Sequence, residues 1–378
     1  MVRPLRVAVV TKSGEHSGGA WYYEGAVVDL FKALSNSENL EMIVVQPEVA
    51  PKGEGATRML DGVQYPNSRI AKAMSIVASS ALGRALSHFL PLSPLHRILH
   101  DYKPDLIYFT SPNLHALSVW DFPFIFTVWD LGHRELRGFP EYKSSVEYFL
   151  RERILRRCLP RAVATVTDSR ATGRKLEETY GIEPGEWVSF GMGFVASAGR
   201  PDAGSPATRA PYFLYPAQFW PHKNHSTLLM AFKTVVNVRP EVRLVLIGAS
   251  KGKWINVKEM IEFSGLENNV EVLGFVDKQE VRRLILGAEA LVMPSLLGPT
   301  NLPPLEAASL GVKSIISDAH DFDENLDNHT QVVPALDPGK WASAMLECLG
   351  TEQPEPLEKD EIAMERLVEV LKNFAKGL

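Results

Sequence analysis

Two cysteines are all that this 378-residue chain contains, Cys158 and Cys348, far apart and in no CxxC pattern. Their scarcity excludes a disulfide framework and leaves no cysteine zinc site. No apolar run reaches the roughly 18 to 20 residues of a membrane-spanning helix. The opening MVRPLRVAVVTKSG is apolar only as far as Thr11 and Lys12. That is too short for a signal peptide, and no small-residue cleavage site follows. It reads instead as a first buried strand, and the expected compartment is cytoplasmic. A strong charge of one sign is also missing, since 40 Lys+Arg against 45 Asp+Glu leave a net −5. An acidic chain without an aromatic-interleaved basic stripe argues against nucleic acid as a partner. Repeats at solenoid periods are absent too.

What is present is ordinary for a globular protein: 45% hydrophobic and 22% charged residues, in a length that suits two domains with a core each. The charge is unevenly spread. Residues 1–205 carry 23 basic and 22 acidic side chains, and the remainder carry 17 and 23. Arg151, Arg153, Arg156, Arg157 and Arg161 fall within eleven residues. They fit a solvated helix face, or contact with an anionic partner such as acidic lipid or a phosphate-bearing acceptor. Segment 65–100 is mostly apolar, with Arg69, Lys72, Arg84 and Arg97 along it. It fits core-facing helices, or a lid or acceptor-side helix that touches a membrane surface.

Two β–α–β rhythms can be traced. Residues 5–11, 40–46, 105–110, 122–131 and 162–169 are short apolar, β-rich runs, with helical patterns at 21–35, 144–157 and 170–180 among them. After a Ser/Ala/Gly/Pro-rich stretch at 197–211, strand-like runs resume at 212–218, 242–248, 270–276, 289–295 and 312–317. Near-continuous apolar strands alternating with helices predict parallel sheets covered on both faces. The expected fold class is therefore α/β, with two Rossmann-like, doubly wound domains at residues 1–205 and 206–350. The remaining 351–378 are expected to form a charged helix packing back toward the first domain. Folds of this kind bind ligands beyond the carboxyl ends of their strands.

Several segments fall at such strand ends. PTNLPPLEAASLG, from Pro299 to Gly311, has proline at its start and glycine at its close, the asymmetry of a real helix. Thr300 and Asn301 occupy N-cap positions, Leu302 follows them, and Glu306 stands one turn further in. The free first-turn N–H groups and the helix dipole suit a pyrophosphate, and Glu306 could accept from the two hydroxyls of a ribose. A well-capped helix with an acid complementing its dipole is the alternative. In YPAQFWPHKNHSTLL, a polar cluster of Gln218, His222, Lys223, Asn224 and His225 precedes a helix. Lys223 there can neutralise a diphosphate as a point charge. No acidic or cysteine partner completes a zinc site around the two histidines. TKSGEHSGGAWYYEG places Gly18 and Gly19 between a strand and a helix, where backbone can approach a phosphate or sugar or simply turn tightly. TVWDLGHRELRGFPEY sets Trp129, Asp130 and His133 after a strand, and His133 can orient a sugar, relay a proton or cap a loop. Asp321 and Asp323 form a D-x-D in a turn-like context and read as a loop. No metal is expected.

The pairing of YPAQFWPHKNH with PSLLGPTNLPPLEAASLG resembles the retaining GT-B glycosyltransferases of the group 1 (family 4) type, in the branch that writes PTN-x-PP-LEA where others write EGFG-x-PP-LEA. TDSRATGRKLEETYGI with FGMG, and VWDLGHRELRGFPEY, are similar to that family's N-domain segments, so the resemblance covers nearly the whole chain. It implies two Rossmann-like domains facing across a deep cleft, and transfer of a sugar from a nucleotide diphosphate sugar to an acceptor with retention. The implied acceptor is a saccharide or lipid-linked molecule, in surface polysaccharide or glycolipid synthesis, with peripheral contact at the inner face of the membrane. No cofactor is implied, the nucleotide sugar being a substrate.

Carried over by motif, Lys223 matches the diphosphate-binding lysine and Glu306 the ribose-binding glutamate. Gly18 and Gly19 match the N-terminal glycine loop, and Thr300, Asn301 and Leu302 the backbone cradle. Gln218, His222 and Asn224 are placed with the donor, and His133 with Lys223 and Glu306 in catalysis. Three positions depart from the pattern: Gly298 stands for a glutamate, Gln218 for an arginine and Trp129 for a histidine. Altered donor recognition is the preferred reading. A catalytically silent module that binds a nucleotide sugar or scaffolds a partner is the alternative. Donor base and sugar, acceptor, linkage and oligomeric state are not legible.

Overall fold

Runs such as VAVV and LIYF are apolar at every position, which suits strands covered on both faces and not strands with one wet side. The computed structural model describes residues 3–12, 19–37, 40–48, 62–87, 93–189, 210–248, 254–297, 302–319, 329–357 and 368–374. The chain forms two compact units. One comprises Met1–His133, Ser144–Phe190 and Ile362–Leu378; the other comprises Arg134–Lys143 and Gly191–Glu361. The short segment 134–143 thus leaves the first half of the sequence to join the second unit.

In the first unit the strands are β1 (Leu5–Val10), β2 (Leu40–Pro47), β3 (Val63–Tyr65), β4 (Leu106–Phe109), β5 (Phe124–Val128), β6 (Ala164–Thr167) and β7 (Trp187–Ser189). They form one parallel sheet in the order β3-β2-β1-β4-β5-β6-β7. The helices are α1 (Gly19–Ser37), α2 (Arg69–Ala78), α3 (Ala81–Ser87), α4 (Pro94–Tyr102), α5 (Gly132–Glu135), α6 (Ser145–Cys158) and α7 (Arg170–Tyr180). Helix α7 shows how local chemistry sets the bounds. Ser169 accepts from the Thr172 N–H at 3.1 Å to open it, and Gly181 at φ +67° closes it.

The second unit holds β8 (Tyr212–Pro216), β9 (Arg243–Ile247), β10 (Val270–Gly274), β11 (Ala290–Met293), β12 (Ser314–Ser317) and β13 (Thr330–Val333). These are again all parallel, in the order β10-β9-β8-β11-β12-β13. Its helices are α8 (His225–Val238), α9 (Trp254–Phe263), α10 (Lys278–Leu286), α11 (Leu302–Ser309) and α12 (Pro338–Cys348). The core is continuous across the strands and the inner faces of α8 and α12, with Trp341, Tyr212, Phe213 and Phe232 fully buried.

The expected α/β class with two Rossmann-like sheets is the one observed, and each anticipated strand lies within its predicted run except β2, which goes one residue further, to Pro47. Three strands were not anticipated: β3, β7 and β13, each three or four residues long at or beside a sheet edge. The core-facing reading of segment 65–100 holds for part of it. Helix α4 buries Leu95, His96 and Leu99, whereas α2 buries only small residues, Ala71, Ser75 and Ala78. The arginines of α6 and beyond are largely tied down within their own unit. Arg153 donates to the Ser79 hydroxyl at 2.6 Å, Arg156 to Glu152 at 3.1 Å, and Arg161 stacks 3.9 Å over the Trp120 ring. Among the described residues no helix is long and apolar enough to cross a membrane.

Candidate functional site

In the second unit β8 and β11 are sheet neighbours, and the chain leaves them in opposite directions: β8 leads on to β9, β11 to β12. Such a switch point opens a crevice beyond the carboxyl ends of the two strands, because their following loops part. Lys223 follows β8, and Glu306 lies on the helix that follows β11.

The sequence after β8 breaks at Pro216 because proline cannot extend the ladder, and Pro221–Lys223 form a single 3-10 turn. Asn224 ends that turn in the left-handed region at φ +55°, which asparagine tolerates better than most residues. Its side chain then ties three loops together. Nδ2 donates to the Pro294 carbonyl at 3.1 Å and the Ala335 carbonyl at 2.8 Å, while Oδ1 accepts from the Thr227 hydroxyl at 2.8 Å.

The loop after β11 is drawn to the same turn. Leu296 N–H donates to the His222 carbonyl at 2.7 Å, and the Lys223 ammonium reaches the Leu297 carbonyl at 3.5 Å. Lys223 is therefore held against the loop that leads into α11, the helix bearing Glu306. Leu302 is the first residue of that helix and is buried. Gly311, at φ +71°, ends the turn beyond it, where an added Cβ would meet the Pro354 carbonyl at 2.7 Å.

Glu306 is buried, with burial pushing its pKa up to about 7 while Lys278 and Arg282 oppose the rise. Those two cations stand four residues apart on α10, which packs on α11. Arg282 is itself buried; that lowers its pKa, and the Glu306 charge partly offsets the effect. A carboxyl poised near neutrality by burial, with two cations beside it, is a strong acceptor for paired hydroxyls once it ionises.

Other positions have clear structural occupations. His222 Nδ1 meets Glu141 Oε1 at 2.5 Å, and its backbone N–H meets the same oxygen at 3.1 Å. Burial works to raise the Glu141 pKa, but hydrogen bonds from its own backbone and from His222 outweigh it and hold the carboxyl below its usual range. This contact ties segment 134–143 to the turn that holds Lys223. The His225 ring lies 4.9 Å from both Tyr215 and Phe219, and burial, with the Lys223 and His222 charges, pushes its pKa down to about 3. It is a neutral core histidine. Gln218 accepts from the Trp220 indole at 2.8 Å, so its carbonyl is engaged within its own turn.

His133 belongs to the first unit. It is buried, and its Nε2 lies 2.9 Å from Glu152, which also accepts from Tyr180 at 2.7 Å and from Arg156. Burial lowers its pKa, with the Glu152 hydrogen bond opposing. One ring nitrogen is thus committed to a network linking α5, α6 and α7, and Nδ1 has no hydrogen bond. Gly19 opens α1. Gly18, Gly298, Thr300, Asn301 and the Asp321/Asp323 pair lie outside the described residues.

Sequence reasoning missed Glu141, Lys278 and Arg282. The last two carried a usable signal, two cations at i and i+4 on a helix after a strand end. The proline and glutamate of GFPEY were noted, but nothing in them pointed to a histidine 81 residues away.

Two family models match the chain: "Glycosyltransferase Family 4" over residues 26–189 and "Glycosyl transferases group 1" over residues 199–357. The O-antigen chain mannosyltransferase RfbU of Salmonella typhimurium is 26% identical over 192 residues, which are 51% of this chain and 52% of that protein. The match therefore spans about half the length of this curated relative. Among solved structures, the sucrose-phosphate synthase of Thermosynechococcus elongatus superposes with a TM-score of 0.74 at 15% identity, covering 99% of this chain and 100% of that one. Anabaena HepE, solved in complex with UDP and glucose, gives a TM-score of 0.68 at 17% identity and covers 99% of both chains. At these identities the likeness speaks for the fold, which is GT-B.

Proposed function

We propose that this chain, which belongs to the group 1 glycosyltransferases, transfers a hexose from a nucleotide diphosphate sugar to a saccharide or lipid-linked acceptor with retention at the anomeric carbon. One observation carries the reading: at the switch point of the second sheet, the Lys223 ammonium is drawn to the loop that enters the Glu306 helix. In this reading the helix's first-turn N–H groups, around Thr300, Asn301 and Leu302, receive the diphosphate and Lys223 neutralises it. Glu306 accepts from the ribose hydroxyls. Gly18 and Gly19 let the first unit's backbone approach the ligand, and Gln218, His222 and Asn224 shape the turn that presents Lys223.

Fixed dipoles and an ammonium then stabilise the departing diphosphate, and no metal is assigned a part. The acceptor hydroxyl attacks from the face the diphosphate leaves, and a phosphate oxygen takes its proton, which removes the need for a strong protein base. His133 serves by orienting the sugar. Similarity to a mannosyltransferase of O-antigen chains supports work on surface polysaccharide or glycolipid, and the proposal places that work at the inner face of the membrane.

The test has two steps. A thermal-shift screen of nucleoside diphosphates and their sugars identifies the base, because binding raises stability by RT ln(1 + [L]/Kd). Lys223→Ala and Glu306→Ala are then expected to abolish transfer in folded protein, with activity unaffected by EDTA. Full activity in both variants would overturn the assignment. Nucleotide binding without transfer or donor hydrolysis across a broad donor panel would instead mark a silent binding module.

A further inference from the structure

The outer side of α2 is apolar where a solvated helix should be polar. Ile70 is 74% exposed, Met74 40% and Val77 68%. Their i, i+4, i+7 spacing stacks them in one stripe, apart from the small buried residues Ala71, Ser75 and Ala78. Leu82 on α3 is 71% exposed.

On α6, Val146 and Phe149 are each 69% exposed, and the same face runs on through Arg153 and Arg157. Arg153 joins the two helices, because its guanidinium meets the Ile76 carbonyl at 3.4 Å and the Ser79 hydroxyl at 2.6 Å, both at the end of α2. Arg153 thus ties the end of α2 to α6, the helix that bears Val146 and Phe149. The charge here is of one sign for a long way. No Asp or Glu occurs from residue 62 to residue 100, although the chain as a whole is acidic. Arg69 and Lys72 are exposed on α2. Helix α6 carries two carboxylates, Glu147, which is exposed, and Glu152, which is buried.

We infer that the α2–α3–α6 face of the first unit docks on an anionic lipid bilayer, inserting Ile70, Val77, Leu82 and Phe149 at headgroup depth while the exposed Arg69, Lys72 and Arg157 meet lipid phosphates. The inference rests on the membrane location in the function proposed above and says which surface serves it. Isolated apolar side chains spread over helix exteriors, among basic residues and with few carboxylates, match an interface that is oily below and negative above. A protein partner would call for a matching shape and a balance of charges. The face offers a protruding apolar row with cations beside it.

The experiment uses the full-length chain with two sets of vesicles, phosphatidylcholine alone and phosphatidylcholine with phosphatidylglycerol, read by co-sedimentation. Binding is expected to the anionic set, to weaken as salt rises, and to fall at least tenfold in Ile70→Glu/Phe149→Glu. Ile70→Leu/Phe149→Leu should keep it. All four substitutions are at exposed positions, so an unchanged melting temperature is expected, and nucleotide binding without vesicles should be unaffected in every variant. That second readout separates failure of this inference from failure of the transferase reading. Equal binding to both vesicle sets, binding to neither, or wild-type binding by the Glu variant would overturn the proposal. So would a concentration-dependent dimer, seen by sedimentation velocity, that the Glu variant abolishes, because the face would then belong to a second copy.

Discussion

Replacing Glu306 with glutamine tests the candidate site without disturbing its shape. In the folded chain burial raises this carboxyl from its ordinary 4.5 to about 7. Between those values the native state keeps a proton that the unfolded chain has released, so stability falls as pH rises, and the loss is complete above 7. A shift of this size corresponds to about 3 kcal/mol. For a unit of this length that is roughly 6 to 12 °C in melting temperature. Glutamine resembles the protonated acid and does not titrate. The variant should therefore match the wild type near pH 4.5 and exceed it by that margin at pH 8, in the calorimetric transition of the second unit.

The same substitution should weaken nucleotide binding, because ribose hydroxyls donate best to an ionised acceptor. Binding to the wild type should then pull the Glu306 pKa down and release up to about half a proton at pH 7. Calorimetry in buffers of different ionisation enthalpy reads that proton, and the variant should not release it. Wild-type and variant melting curves that run parallel from pH 4.5 to 8 would refute the burial argument. Identical proton release by the two proteins would refute the placement of Glu306 against the nucleotide.

Other perturbations have equally definite outcomes. Lys223→Met is expected to reduce nucleoside diphosphate affinity by about 1.5 to 3 kcal/mol, the range for a hydrogen bond to a charged group, and calorimetry should show little change for the free nucleoside. Glu141→Gln should lower the melting temperature of the second unit at pH 6, since Glu141 is a carboxylate held below its ordinary pKa by His222 and backbone donors. Stability from such a group is present above the unfolded pKa and is lost as pH falls through the folded one. The variant should therefore be less acid-sensitive than the wild type. Asn224→Ala strands the Pro294 and Ala335 carbonyls, at about 1 to 3 kcal/mol each if both stay dry. Asn224→Gly relieves the left-handed backbone but not the lost bonds, so urea titration should find both variants destabilised. A Gly variant as stable as the wild type would mean that backbone strain, not bonding, governs that position.

Features legible in the sequence are those with local causes. Buried parallel strands announce themselves as unbroken apolar runs, and α7 is bounded by Ser169 and Gly181 whatever lies around it. The α11 segment is legible for the same reason, since proline, glycine and an early acid specify a helix within a dozen residues. The short strands β3, β7 and β13 escaped because three or four residues carry no period. Partnerships across the chain escaped for a different reason. His222 reads from its motif as a donor contact. Its ring in fact meets Glu141, contributed by a segment whose neighbours on either side belong to the other unit. Glu306 was legible as an acid near a helix's positive end, yet its protonation is set by burial, opposed by Lys278 and Arg282 on α10, the helix packed beside it. Placing that acid needed only its own helix. Predicting its protonation needs the packing of a second helix, because burial and two neighbouring cations act on it in opposite directions, and their balance leaves it near neutrality instead of fully ionised.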